Sequence, residues 1–462
     1  MGDNRRFIKP LCAAILLATG SVQAGGFGVT TQSATGGGNA STGHAMAEDA
    51  SAMWYNPALL HSMQGRQVNV GASLLNTDIT LENAGSTIPT AAAGFPVIGE
   101  NTAEPGGVSV TPSFFYRGEN FSDKLAYGIG VSVPYGFSTE YEDDSFARYE
   151  ATESSLKTLN INPAIAWKVN EQFDIGAGLN LQVGQAVLAR SVDAFLVCQR
   201  FASLGAITPA TCGALGLTSP SNAATDSSVS IEATAIGYGA NIGAAYHPSD
   251  KTTLSLGLRS SVEFDFEGDA DFTHGAGLSA LGDAALTAGG LADQDAETKL
   301  KMPASASFAA AHQVSDKLTV HGDVTWTQWS SVPEIRITFP DSTAADSVTD
   351  LQWEDTVRVG VGATYQFNDR MKFRAGIAHD PTPTPSPQNR TPRAAPSSDN
   401  LWFSAGMSYK LNKQMDFDAG LSIIHPQDTI INYTAPGTSD YTTRATAEAD
   451  VIGASVSLNY RF

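Results

Sequence analysis

From Arg66 to Phe462 the chain repeatedly alternates apolar and polar residues, the period-two pattern that sets every second side chain on one face of a β-strand. The clearest runs are Tyr127-Ile129-Val131-Val133, Ile175-Ala177-Leu179-Leu181-Val183, Leu254-Leu256-Leu258, Val357-Val359-Val361-Ala363-Tyr365-Phe367 and Ala454-Val456-Leu458-Tyr460-Phe462. Gly, Ser, Asn, Gln, Thr or Arg stand between these positions. Each strand therefore has one greasy face and one polar or tiny face.

A soluble β-sandwich would alternate in the same way, so the connections carry the distinction. Short polar turns occur at 170–172, 247–251, 315–317, 368–370 and 412–414, and long irregular segments lie around 138–155, 190–228, 268–298, 340–350 and 380–400. Short turns at one rim and long loops at the other are the plan of an outer-membrane barrel, with the short side periplasmic. Counting strands between the connections predicts about 14, the even number that closure requires when both termini lie on one side. The expected fold is all-β, a transmembrane antiparallel β-barrel over residues 66–462. No stretch after Ala24 approaches the about 20 consecutive apolar residues of a membrane helix.

Residues 25–65 break the pattern. They are rich in Gly, Ser and Ala, and Ala45–Ala50 reads as a short helix. A barrel of this strand number leaves a wide lumen unless something fills it, so these residues are expected to form an N-terminal plug. The alternative, a disordered periplasmic tail, leaves Trp54, Tyr55, Leu59 and Leu60 with nothing to pack on.

Composition then fixes the compartment. Arg5, Arg6 and Lys9, the apolar stretch Leu11–Thr19 and the small-residue site Val22-Gln23-Ala24 read as a signal peptide over 1–24. Its removal leaves 24 basic and 46 acidic residues, a formal charge of −22 that argues against a nucleic-acid partner. Cys12 falls in the signal. Cys198 and Cys212 share one loop-like stretch and are expected to form a disulfide in an oxidising periplasm. No His cluster accompanies them, so neither a metal site nor any cofactor is expected.

The chain lacks a Gly-x-Ser-x-Gly elbow and a His-Glu-x-x-His pair, and its eight histidines are scattered through turns and strands. An enzyme is therefore not expected. An open porin or an adhesin is a further alternative, although 16% charged residues is sparse for a charge-lined pore.

Five sequence blocks carry a resemblance. They are Asp49–Leu59, centred on Asn56-Pro57-Ala58; Ser132–Glu140; Trp326–Ser330; His379-Asp380-Pro381 through Gln388-Asn389-Arg390; and Asp399–Gly406. In this order they resemble the FadL-like family of long-chain fatty acid and hydrophobic compound transporters. The terminal Tyr460-Arg461-Phe462 is similar to the assembly signal of bacterial outer-membrane proteins.

The resemblance implies a monomeric barrel in the bacterial outer membrane, plugged by a hatch. It further implies passive transport of a long-chain fatty acid or, alternatively, an aromatic hydrocarbon. The ligand binds an outer groove between loops and then an inner apolar pocket, and leaves sideways into the outer-membrane lipids at a kink in the third strand. Pro134, which has no N–H, together with Gly136, fits such a kink, and the alternative is that Pro134 merely ends a strand. Phe27 matches the aromatic that the family inserts near its inner site, the alternative being a frayed end. Arg190 and Arg336 match basic residues that face the ligand's head group. A solvated rim position is the alternative for both, and Gln185 competes with Arg190 for its place.

The loops 190–228 and 268–298 carry apolar residues such as Phe195, Phe201, Leu215, Phe272 and Leu286. These serve as a landing groove for ligand, as the packing between the two loops, or as both.

Overall fold

Fourteen antiparallel strands follow one another around a closed wall in this computed structural model, which describes residues 26–89, 94–205, 207–340, 342, 345–394, 398–436 and 441–462. The first seven are β1 (Gln67–Asn83), β2 (Gly107–Arg117), β3 (Leu125–Ser132, resuming at Gly136–Glu140), β4 (Glu153–Asn170), β5 (Phe173–Val192), β6 (Ser227–Ser249) and β7 (Thr252–Arg259, resuming at Val262–Thr273). The rest are β8 (Gln294–Met302 and Ser305–Gln313), β9 (Leu318–Thr327 and Glu334–Thr338), β10 (Ser347–Asp350 and Thr356–Asn368), β11 (Met371–Asp380), β12 (Asn400–Lys410), β13 (Met415–Pro426 and Thr429–Thr434) and β14 (Thr442–Arg461). The last strand returns to the first over the register Gln67↔Arg461 to Asn83↔Ala445, and the ring closes. The expected signal peptide lies outside the described residues.

The alternation is turned inside out relative to a soluble protein. In β10, Val357, Val359 and Val361 are exposed by 46%, 46% and 55%, while Arg358 between them is buried. A lipid-facing apolar surface around a polar interior is what the bilayer demands of a barrel. Two of the apolar runs end early, because Val133 and Val183 are buried whereas their predecessors face out.

The long connections are shorter than the sequence suggests. β7 continues to Thr273 and β8 begins at Gln294, so the expected 268–298 loop shrinks at both ends. Glu267, Asp269 and Asp271 look like loop residues, yet they are the outward positions of a strand that has risen above the lipid, with Phe266 and Ala270 buried on the other face. The loop after β5 holds α1 (Ala194–Ser203) and α2 (Pro209–Ala214), and a disulfide joins Cys198 to Cys212, with Cα atoms 5.9 Å apart. A third helix, α3 (Ala280–Ala288), packs Leu286 into the same small core.

Residues 26–65 pack against inward faces around the ring. Backbone meets backbone there: a Cβ on Gly376 of β11 would lie 2.1 Å from the Asn39 carbonyl oxygen, and one on Gly176 of β5 would lie 2.4 Å from the Ala58 nitrogen. The tiny inward face is thus the complement of this segment. Helical turns occur at Ala34–Gly37, Ala52–Tyr55 and Pro57–Leu60. Ala45–Ala50, expected to be helical, is not. Asp49 Oδ1 instead accepts the Ser51 N–H at 2.8 Å, and this local side-chain bond supplants the first turn until Ala52.

Glu48 and Asn56 are two of the polar anchors that hold the segment. Glu48 accepts from Arg374 of β11 at 2.8 Å and pairs with Lys372 at 3.4 Å. Burial alone would raise the Glu48 carboxyl, but these two cations outweigh burial and hold it at about 2. Asn56, fully buried, donates to the Ala244 carbonyl (2.9 Å), Ser255 Oγ (2.7 Å) and the Leu256 carbonyl (3.3 Å), while its own oxygen caps the turn by accepting from Ala58 N (2.9 Å).

Asn56→Ala removes these four bonds and orphans buried groups on β6 and β7, weakening the docking of residues 26–65 by roughly 2–4 kcal/mol. Hydrogen exchange should accelerate across 50–63 while the barrel keeps its heat-modifiable mobility. Unchanged exchange would show that Asn56 is no anchor.

Candidate ligand site at the break in the third strand

The wall is interrupted in β3, and the cause is a single residue. Pro134 has no N–H to donate, and β3 stops at Ser132 and resumes at Gly136. Four steps along β3, from Ser132 to Gly136, face three along β4, from Asn160 to Lys157, so one residue is extra. Such a bulge reverses the alternation. Ahead of it the even-numbered residues face the lumen, and beyond it Phe137 does. Val133 departs from the predicted run for this reason.

The bulge also unzips one side. Pairing of β2 with β3 runs only from Arg117↔Gly128 to Phe114↔Val131, and the upper piece Gly136–Glu140 pairs with β4 alone among the described strands. Residues 27–29 fill the place. Val29 N–H donates to the Pro134 carbonyl and Gly136 N–H to the Phe27 carbonyl, each at 2.9 Å, with Gly28 and Tyr135 forming an antiparallel bridge. Gln32 Nε2 adds a bond to the Val133 carbonyl at 2.8 Å.

Phe27 is no frayed end. Its ring stacks on Phe137 at 4.5 Å, lies 4.7 Å from Trp353 and meets Trp329 edge-on at 6.2 Å. The preceding Gly26 has φ +71°, and a Cβ there would lie 2.9 Å from the Trp329 ring, so only glycine lets the chain pass.

A cavity of about 160 Å³ lies beside this bridge, lined by Val29, Trp54, Tyr135, Arg259, Trp329 and Arg358 among others. Its two arginines differ. Arg358 is neutralised, with Asp323 at 3.7 Å and Asp380 at 3.8 Å. Arg259 has no carboxylate within ion-pair distance among the described residues. It lies over the Trp54 ring at 3.9 Å and donates to the Trp54 carbonyl (2.7 Å) and Asn180 Oδ1 (2.8 Å). Toward the extracellular side the lumen becomes an apolar column that includes Leu188, Val229, Ile231, Phe264, Phe266 and Ile335.

The two arginines singled out from the sequence lie elsewhere. Arg336 is a correction: strand alternation buries Ile335 and Ile337 and turns Arg336 outward, where it pairs with Glu334 at 2.7 Å and Asp346 at 3.0 Å. Arg190 shares the inward register of Leu188, high on β5, and does not line the cavity; Gln185 falls on the opposite face. Arg259 was the residue to find, and it left a signal. It is the charged residue in the polar register of Leu254-Ser255-Leu256-Gly257-Leu258-Arg259, the face that looks into the lumen.

Comparisons agree with this architecture. Residues 15–462 match the family model described as outer membrane protein transport protein (OMPP1/FadL/TodX). A putative outer membrane protein of Neisseria meningitidis serogroup B is 30% identical over 459 residues, covering 96% of each chain. The long-chain fatty acid transport protein of Escherichia coli K12 is 26% identical over 438 residues, covering 94% of this chain and 95% of that one. The crystal structure of a Pseudomonas aeruginosa FadL homologue superposes with TM-score 0.83 at 22% identity over 95% of this chain and 100% of that one. The Ralstonia pickettii toluene transporter TbuX follows at 0.64 and 20%, over 93% and 98%. The chain therefore belongs to the OMPP1/FadL/TodX family, outer-membrane β-barrels that transport hydrophobic compounds.

Proposed function

We propose that this protein is a monomeric, passive channel for long-chain fatty acids in which residues 26–65 act as the hatch and the break at Pro134 and Gly136 as a lateral gate. The observation that carries the substrate class is Arg259, a cation without an acid partner among the described residues, at the lower end of an apolar column. A desolvated charge is costly unless paired, and a ligand carboxylate supplies the missing partner while its alkyl chain fills the column above. Entry begins on the extracellular loops, where Leu204 and Leu281 stand 70% and 69% exposed beside the disulfide-linked helices. Exit follows when Phe27 and Val29 leave the bulge, since their backbone satisfies the Pro134 carbonyl and the Gly136 N–H in that stretch of wall. The motif Asn56-Pro57-Ala58 holds the hatch while its first residues move.

A second reading is uptake of aromatic hydrocarbons. The cage of Phe27, Phe137, Trp329 and Trp353 favours it, because flat rings fit such edge and face contacts.

Binding to the purified barrel separates the two. Arg259→Gln should weaken oleate by about 2 kcal/mol, roughly thirtyfold in Kd, and leave toluene unchanged. Tight toluene binding with no response of oleate to the variant would favour the hydrocarbon reading. The gate has its own test: Phe27→Ala should loosen the bridge by about 3 kcal/mol. That loosening should appear as faster exchange of the amides of Val29 and Gly136 with the barrel intact, and equal protection in both forms would remove Phe27 from the gate.

A further inference from the structure

Near the cavity, on the strands that flank the break in β3, lie polar side chains that the proposed gate leaves unused. Ser132, Asn160 and Gln182 sit side by side on β3, β4 and β5, through the pairs Ser132↔Asn160 and Asn160↔Gln182, all in the inward register. Each is 0% exposed. The Ser132 hydroxyl and both amide groups, nitrogen and oxygen alike, have no hydrogen-bond partner among the described residues. Three neighbouring unpaired polar groups in the wall of a membrane barrel are costly, and an apolar trio would pack there without that cost.

Their position gives them a use. Arg259 donates to Asn180, and Gln182 is the next inward residue on that strand, followed sideways by Asn160 and Ser132, the last residue before the break. On the outer face, Lys157 is paired directly opposite Gly136 at the far side of the break. It shares its face with the lipid-exposed Ile165 and Trp167, and no carboxylate lies within ion-pair distance of it among the described residues. Side chains able to donate thus occupy neighbouring register positions on the inner face up to the break, and Lys157 stands on the outer face across it.

We propose that Gln182, Asn160 and Ser132 form a track that carries a ligand's polar head group from Arg259 to the lateral opening, where Lys157 receives it, so that the opening selects amphipathic ligands over pure hydrocarbons. This rests on the carboxylate reading of Arg259. A carboxylate moving sideways keeps a donor at each step, whereas an alkene gains nothing from the same groups.

The test uses the full-length mature barrel in liposomes, with oleate and octadecene as probes. Three forms are compared with the wild type: Gln182→Met, Asn160→Leu combined with Gln182→Met, and Lys157→Gln, a change at a half-buried position on the outer face. Retained heat-modifiable mobility certifies each barrel. Equilibrium oleate binding should be unchanged in all three, transfer of oleate into the bilayer should slow about tenfold, and octadecene transfer should stay within about twofold. Oleate transfer at the wild-type rate in the folded Gln182→Met and Lys157→Gln barrels, or equal slowing of both probes, overturns the track while leaving Arg259 in place. Absence of oleate binding to the wild type overturns the carboxylate reading itself, and the track with it.

Discussion

Inside a bilayer no water satisfies a backbone N–H or C=O, so every strand of a membrane barrel must find its bonds on both sides. The ring closes through β1 and β14 to meet that demand. Pro134 breaks it at one point, and much of the remaining structure is arranged around the repair. Phe27–Val29 stands in as a short surrogate strand, its ring is gripped by Phe137, Trp329 and Trp353, and the rest of residues 26–65 is tied beneath it. A covalent feature of one residue thus leaves the gap that residues 27–29 occupy.

The interior anchors follow a consistent division. The parts that stay are held by buried polar bonds with several partners each, as at Asn56 and at Glu48 with Arg374 and Lys372. The part proposed to move is held by three backbone and amide bonds and by aromatic packing, which is less directional and re-forms with another apolar occupant. Wall glycines make the first kind of contact by letting backbone approach backbone, as Gly176 and Gly376 do. The lumen is consequently filled without being welded shut.

Charge is distributed in the same spirit. Arg358 and Arg374 are each matched by carboxylates, and Arg148 in the extracellular cap binds Asp226 at 3.1 Å and the Ile98 carbonyl at 2.8 Å. Arg117 and Arg259 both bind neutral oxygens, but Arg117 is spent on five of them away from the cavity, whereas Arg259, with two such oxygens and a π face, borders the cavity. A position beside the cavity, together with neutral partners, is what recommends Arg259 over Arg117 for the proposed ligand role.

Much of this was legible in the residues alone. Period-two alternation, two classes of connection and the plug-like N-terminus determined an outer-membrane barrel of fourteen strands, because the bilayer imposes those patterns on any chain that crosses it by strands. Even the inward position of Arg259 is written in the parity of its strand. What the tertiary structure alone decided is which inward groups share a height and which neutralise one another. Arg336 was lost to Glu334 and Asp346 because a two-residue period says nothing about which of two faces a short rim piece presents. Ser132, Asn160 and Gln182 stand far apart along the chain and form a row only through inter-strand register, and register is set by bulges and loop lengths that local pattern does not encode.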